Sequence, residues 1–191
     1  MRDLALPLRR WRRVEYEGLV ERGFFDDERL ELLDGLLILQ EPQGSYHATA
    51  VELVRRALER AFDARFHVRD GKPVALDALS EPEPDLAVVR GDPRRYRRRH
   101  PSKPVLAVEV SDTSLLKDRR LKAALYARAG IAEYWILNLG ARVLEVYRAP
   151  VPSPTARYGF RYKSVRLLRR GAVVTPLAAP RSRVAVSDLL P

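Results

Sequence analysis

Asp85, Glu109 and Lys122 are the residues whose types and spacing point to chemistry. Asp85 opens the apolar run Leu86–Val89, and Glu109 falls near the end of a second run, Val105–Val110. Both runs are short, rich in Val, Ala and Leu, and bounded by Pro, Gly and Ser, the pattern of buried strands. If consecutive strands pair antiparallel, the start of one lies beside the end of the next. Asp85 then neighbours Glu109 in the sheet. The period of two puts Asp85, Ala87 and Val89 on one face, and Val105, Ala107 and Glu109 on one face. An uncompensated buried charge is strongly destabilising, so a positive group is expected between the two carboxylates.

The segment that follows supplies one. At about 100° per residue, Leu115, Leu121, Leu125, Tyr126 and Ala129 fall on one arc of a helix. Asp118 and Lys122 fall inside that arc, while Arg119, Arg120 and Arg128 lie outside it or at its margin. Lys122 is therefore aimed at the sheet. Two acids on adjacent strands and a lysine arriving from the packed helix make a divalent-metal site. Two plainer readings stand beside it. Asp118 and Lys122 have the i,i+4 spacing of an ordinary helix ion pair, and Asp85 and Glu109 have a place as solvated acids at the sheet rim.

Pro84-Asp85, Glu109 at a strand end and then Lys122 resemble the PD-(D/E)XK nuclease superfamily with its lysine moved from strand to helix. More closely, the chain resembles the Uma-two-type restriction endonuclease family. The matching segments are Glu31-Leu-Leu-Asp-Gly35, Pro42 to His47, Glu83-Pro-Asp-Leu-Ala-Val88, Glu109-Val-Ser111, Asp118-Arg-Arg-Leu-Lys122 and Tyr126-Ala-Arg-Ala-Gly-Ile-Ala-Glu-Tyr-Trp135. They cover most of residues 30–148, and the Ala-Gly-Ile-Ala-Glu-Tyr-Trp ending is the most specific. Asp112 departs from the family's small residue or Pro, and Asn138 from its frequent Asp. The resemblance implies an α/β (α+β) fold: a restriction-endonuclease-like αβββαβ core, its mixed sheet flanked by helices, with extra strands at both ends. It implies catalytic roles for Asp85, Glu109 and Lys122, and brings in Glu31 and His47 as further site residues. Asp85, Glu109 and the Val110 carbonyl would hold Mg²⁺ or Mn²⁺. The expected function is a metal-dependent endonuclease cutting nucleic acid, DNA ahead of RNA. A non-catalytic nucleic-acid-binding protein and an oligomeric structural protein are the alternatives. By analogy, cutting both strands would take a homodimer.

A chain of 191 residues is expected to form one domain with a substantial core. It has no cysteine and three histidines, which excludes disulfides and thiolate zinc and disfavours a His-rich metal site. Neither a signal-peptide pattern nor an apolar run of spanning length is present, so a soluble, cytoplasmic protein without membrane partners is expected. The formal net charge of +10, from 35 Lys and Arg against 25 Asp and Glu, favours polyanionic partners. An Arg-rich proteome would give the same surplus.

Residues 1–13 read as a basic, flexible opening, 29–148 as the core and 149–191 as a C-terminal strand extension. A helix is expected from Val14 to Arg22, and 29–39 forms a hairpin turning at Asp34-Gly35. Glu31, in its first arm, reads from the residues alone as a solvent-facing strand position. A second helix spans Tyr46 to Phe62, with Leu53, Val54, Ala57, Leu58 and Ala61 as its apolar stripe. His47 opens it, as a capping residue or, on the resemblance, facing the acids. Strands follow at Phe66–Arg69, Glu133–Leu139, Ala141–Arg148, Tyr158–Leu168, Ala172–Leu177 and Val184–Leu190. Between the two acid-bearing strands lies a loop with six Arg in twelve residues. Its Arg94, Arg95, Arg97, Arg98 and Arg99 are either solvated charge or phosphate contacts.

Overall fold

The structure, a computed structural model, describes residues 8–191, so residues 1–7 of the basic opening lie outside it. Helix α1 (Arg13–Val20) is followed by the hairpin β1 (Leu30–Leu33) and β2 (Leu36–Leu39). Its turn places Asp34 at φ 51° and Gly35 at φ 81°, the left-handed pair that a two-residue hairpin needs. The described part of the opening is fastened to this turn: the Trp11 N–H donates to the Gly35 carbonyl at 2.9 Å, and Arg10 pairs with Asp34.

Helix α2 (Ser45–Ala61) leads into β3 (Phe66–Asp70), β4 (Leu86–Arg90) and β5 (Leu106–Ser111). Its buried stripe is Ala50, Val51, Val54, Ala57 and Leu58, shifted from the expected one because Leu53 is only half-buried. Next come α3 (Leu115–Lys117), a π-helical segment (Asp118–Lys122) and α4 (Ala123–Arg128), running on without a break in helical backbone. Gly130, at φ 72°, ends them, with the Ile131 N–H returning to the Tyr126 carbonyl at 3.0 Å. Strands β6 (Glu133–Asn138), β7 (Val143–Pro152) and β8 (Phe160–Arg169) complete a six-stranded sheet of order β3-β4-β5-β6-β7-β8. Only the β5–β6 pairing is parallel, as a helical crossover requires. α2 through β6 thus make the αβββαβ core. Helix α2 and the chain's last residues cover one face of the sheet, around Trp135, Leu137 and Leu144; α4 covers the other, around Tyr126, Tyr134 and Ile136.

The C-terminal strands are shorter than the sequence suggests. Of 172–177 only β9 (Val173–Val174) pairs, because Pro176 offers no N–H and that of Leu177 goes to Glu133 Oε2 at 2.7 Å. Of 184–190 only β10 (Val184–Ala185) is strand. A 3₁₀ turn at Val186–Asp188 then folds Leu189 and Leu190 inward. Residues 74–76 pair with no neighbouring strand; the N–H groups of Val74 and Ala75 bond to the carbonyls of Pro82 and Pro101.

Candidate active site

β4 pairs β5 antiparallel with Leu86 opposite Val108. One step further along that ladder, Asp85 faces Glu109, as the strand arithmetic requires. Asp85 Oδ2 accepts the Val110 N–H at 2.7 Å, and Oδ1 accepts Gln43 Nε2 at 3.1 Å. The first turn of α2 adds His47, whose Nε2 lies 3.3 Å from Asp85 Oδ2. Burial works against a charge on this imidazole. Asp85 and the Val110 carbonyl outweigh it and raise the affinity of His47 for its proton. His47 Nδ1 is buried without a partner.

Lys122 reaches one of the two acids expected of it, Glu109, and takes Glu31 rather than Asp85 as its second partner; the cationic side chain beside Asp85 is His47. Lys122 Nζ is 3.0 Å from Glu109 Oε1 and 3.0 Å from Glu31 Oε2. Glu31 is fully buried and is no solvent-facing strand residue. It also takes Lys117 Nζ at 3.2 Å and the Glu83 N–H at 3.3 Å. Burial opposes its charge, but the two ammoniums, Lys122 ahead of Lys117, hold its carboxyl below the usual range. Glu109 goes the other way. Burial raises its pKa well above a free carboxyl's, Lys122 opposes this, and the negative charges of Asp118, Asp85 and Glu31 add to it. Tyr126 completes the shell, its hydroxyl donating to Glu109 Oε1 at 3.0 Å.

Asp118 and Lys122 do not form the helix ion pair that their spacing allows. Asp118 Oδ2 instead accepts the hydroxyls of Ser111 and Ser114, leaving Oδ1 buried and unpartnered. The π-helical stretch accounts for Lys117, a site residue that the sequence pattern does not reveal. Residues five apart lie roughly 140° apart around an α-helix, but on one face of a turn built from i→i+5 bonds. Such a turn at Asp118–Lys122 lets Lys117 and Lys122 both meet Glu31.

These groups line a cavity of about 580 Å³. Gln40–Gly44, Asp112–Ser114, Leu116 and Glu83 are also among the lining residues. Asp112, one departure from the family pattern, is thus at the cavity. Asn138, the other, is buried away from it, bonding Glu145 and the Ala141 N–H. None of Arg94, Arg95, Arg97, Arg98 and Arg99 lines the cavity. They are exposed around a 3₁₀ turn at Pro93–Tyr96, beyond the far ends of β4 and β5. Five strand steps, roughly 17 Å, separate Asp85 from Arg90, where that loop begins.

The carboxylates of Asp85 and Glu109 and the Val110 carbonyl are hard oxygen donors, the type Mg²⁺ takes. Among the described residues no three Asp, Glu, His or Cys converge into a metal cluster. Mg²⁺ is commonly held by one or two carboxylates, with water and substrate phosphate supplying the rest. The Glu109 carboxyl is raised first by burial and then by the charges of Asp118, Asp85 and Glu31, so a cation beside it would offset the charge part of that cost.

Comparison with known proteins bears on the fold and the family. The chain is similar over 85% of its length to a structure described as a putative nuclease belonging to DUF820, from Anabaena variabilis ATCC 29413. The match covers 90% of that chain at 15% identity, with a TM-score of 0.57, and shows a shared fold. No curated protein matches. No helix of the described residues is long and apolar enough to cross a membrane. A sequence profile described as "Uma2: Putative restriction endonuclease" matches residues 14–186, from the first helix to the last turn. With nearly the whole described chain inside that match, this protein belongs to the Uma2 family.

Proposed function

We propose that the protein is a metal-dependent endonuclease that hydrolyses phosphodiester bonds of nucleic acid. The observation that carries this is the junction of two strand-end carboxylates, Asp85 and Glu109, with a buried lysine on the crossing helix. DNA is favoured over RNA on the family's description alone. Asp85, Glu109 and the Val110 carbonyl would hold Mg²⁺ or Mn²⁺, which supplies a water of lowered pKa and charge stabilisation at the phosphate.

The remaining work falls to this chain's own groups. Burial would strip Lys122 of its proton, but Glu109 and Glu31 outweigh it and raise its pKa well above the usual value. Held as an ammonium by these carboxylates, Lys122 is suited to neutralising charge that develops on the phosphoryl oxygens or to orienting the attacking water. Tyr126 and Glu31 fix its partners. Asp118 Oδ1, buried and without a donor, offers an acceptor for a water beside them. The arginine loop would add phosphate contacts remote from the cavity.

Calorimetry of Mg²⁺ or Mn²⁺ on the wild type and on an Asp85→Asn/Glu109→Gln double variant tests the site. Binding by the wild type and none by the variant is expected. Lys122→Ala is expected to abolish cleavage while keeping most metal affinity, and full cleavage by that variant would remove Lys122 from the mechanism. A folded wild type that binds no metal, alone or with an oligonucleotide, would favour nucleic-acid binding without hydrolysis.

A further inference from the structure

We propose that the substrate is single-stranded or locally unpaired nucleic acid, entering a cavity that exposes two leucines, Leu39 and Leu116. This rests on the nuclease reading above and narrows it.

The acids sit at the bottom of a recess. Glu109 and Lys122 are each 4% exposed and Glu31 is fully buried, so a scissile phosphate has to come in to them. The cavity, about 580 Å³, is the size of a small-molecule site and holds a nucleotide or two. Two of its lining segments are tied together, because Thr113 Oγ1 donates to Glu41 Oε2 at 3.2 Å. A duplex is a stiff rod with its phosphates on the outside; a single strand bends and can thread such an opening.

The lining chemistry points the same way. Leu39, at the end of β2, and Leu116, on α3, both line the cavity and are each 63% exposed beside its acids. An unpaired base has an apolar face to lay against them, which removes apolar surface of both from water. In a duplex those faces are stacked away. Glu41, Glu83 and Asp112 also line the cavity, and a duplex laid over it would bring several phosphates toward them. A strand that turns its bases to the wall presents one phosphate at a time. The arginines that would seat a duplex lie at the other end of the sheet. One cavity suffices for one strand, so a homodimer is not required for this activity.

The test is fluorescence anisotropy of one labelled oligonucleotide, single-stranded and as a duplex. Ca²⁺ replaces Mg²⁺, and salt is kept near 0.3 M to suppress binding through phosphates alone. The wild type is expected to bind the single strand about tenfold more tightly than the duplex. Leu39→Ser/Leu116→Ser is expected to lose most of that margin, with Mg²⁺ binding and fold intact because both side chains are exposed. Equal or tighter duplex binding by the wild type, or an undiminished margin in the double variant, overturns the proposal. Cleavage in Mg²⁺ separates it from the reading it rests on. Faster cutting of duplex sinks the strand preference and leaves the nuclease standing. A leucine-dependent preference with no cutting supports the strand preference and sinks the nuclease.

Discussion

Replacing Lys122 with methionine keeps the volume of the buried side chain and removes its charge. Glu31 and Glu109 then share a buried space without the ammonium that lies 3.0 Å from each. Breaking a buried ion pair from one side costs about 3–5 kcal/mol. The lower end applies here, because Glu31 keeps Lys117 and the Glu83 N–H, and Glu109 keeps the Tyr126 hydroxyl. About 3 kcal/mol corresponds to a fall of roughly 6–12 °C in Tm for a domain of this size. The sign with pH follows from Glu31. In the wild type its folded pKa is depressed, so its stabilisation is present above the unfolded value near 4.5 and lost as pH falls through the folded one. Without Lys122 the depression is lost. The variant's deficit is then full at neutral pH and shrinks below about pH 4.5, where both carboxyls are protonated. Urea unfolding followed by the fluorescence of buried Trp135 reads both quantities. A deficit equal at pH 4 and pH 7 would show that packing, not charge, is what Lys122 contributes, and one under about 1 kcal/mol would show that the carboxyls are already neutral.

Three further outcomes are expected. The proton that His47 gains beside Asp85 stabilises the fold below its unfolded pKa of 6.5, and that stabilisation is lost as pH rises through the higher folded value. The Tm advantage of wild type over His47→Gln should therefore shrink between about pH 6 and pH 8, and a constant gap would deny the contact. Glu133, fully buried, accepts from Arg148 Nη2 at 2.5 Å, Trp135 Nε1 at 3.0 Å and the Leu177 N–H at 2.7 Å. Glu133→Ala should cost about 3 kcal/mol or more in urea unfolding while Mg²⁺ affinity at the other end of β6 is unchanged. Replacing Arg94, Arg95, Arg97, Arg98 and Arg99 with serine should flatten the salt dependence of nucleic-acid binding, by about 0.9 in slope for each phosphate left without its arginine. The turnover rate at saturation should stay as it was, and a large fall in it would put that loop at the reacting phosphate.

The site was legible where local pattern and pairing geometry speak together. Asp85 and Glu109 break two apolar strands at opposite ends, and antiparallel pairing alone brings them face to face. Asp34-Gly35 marks a turn that the observed backbone angles bear out. Lys122 could be aimed from the helical arc. Glu31 could not be, since alternation in a four-residue strand does not reveal that the hairpin packs over the acids and is buried. Lys117 stayed hidden because its alignment with Lys122 depends on a π turn, which apolar periodicity at 100° per residue cannot register. The arginine loop is contiguous in sequence with both acid-bearing strands and still lies far from the acids. The pairing that joins Asp85 to Glu109 sends the connection between their strands to the other end of the sheet.

That separation shapes how the molecule would meet a polyanion. The chain carries a net charge of +10, yet its cavity is lined by Glu31, Glu41, Glu83, Asp85, Glu109, Asp112 and Asp118 against Lys117, Lys122 and His47. The positive surplus therefore lies on the outer surface, where it attracts any nucleic acid over the Debye length. The cavity by itself repels a phosphate. A cation between Asp85 and Glu109 would offset the neighbouring negative charges that add to burial in raising the Glu109 pKa, and would give an entering phosphate a positive partner. The phosphate in turn would offer that cation a further oxygen. Their affinities would then be coupled, each strengthening the other by the same factor, and the outer arginines would concentrate substrate without selecting it. Discrimination would fall to the cavity lining, where acids outnumber the cations Lys117, Lys122 and His47.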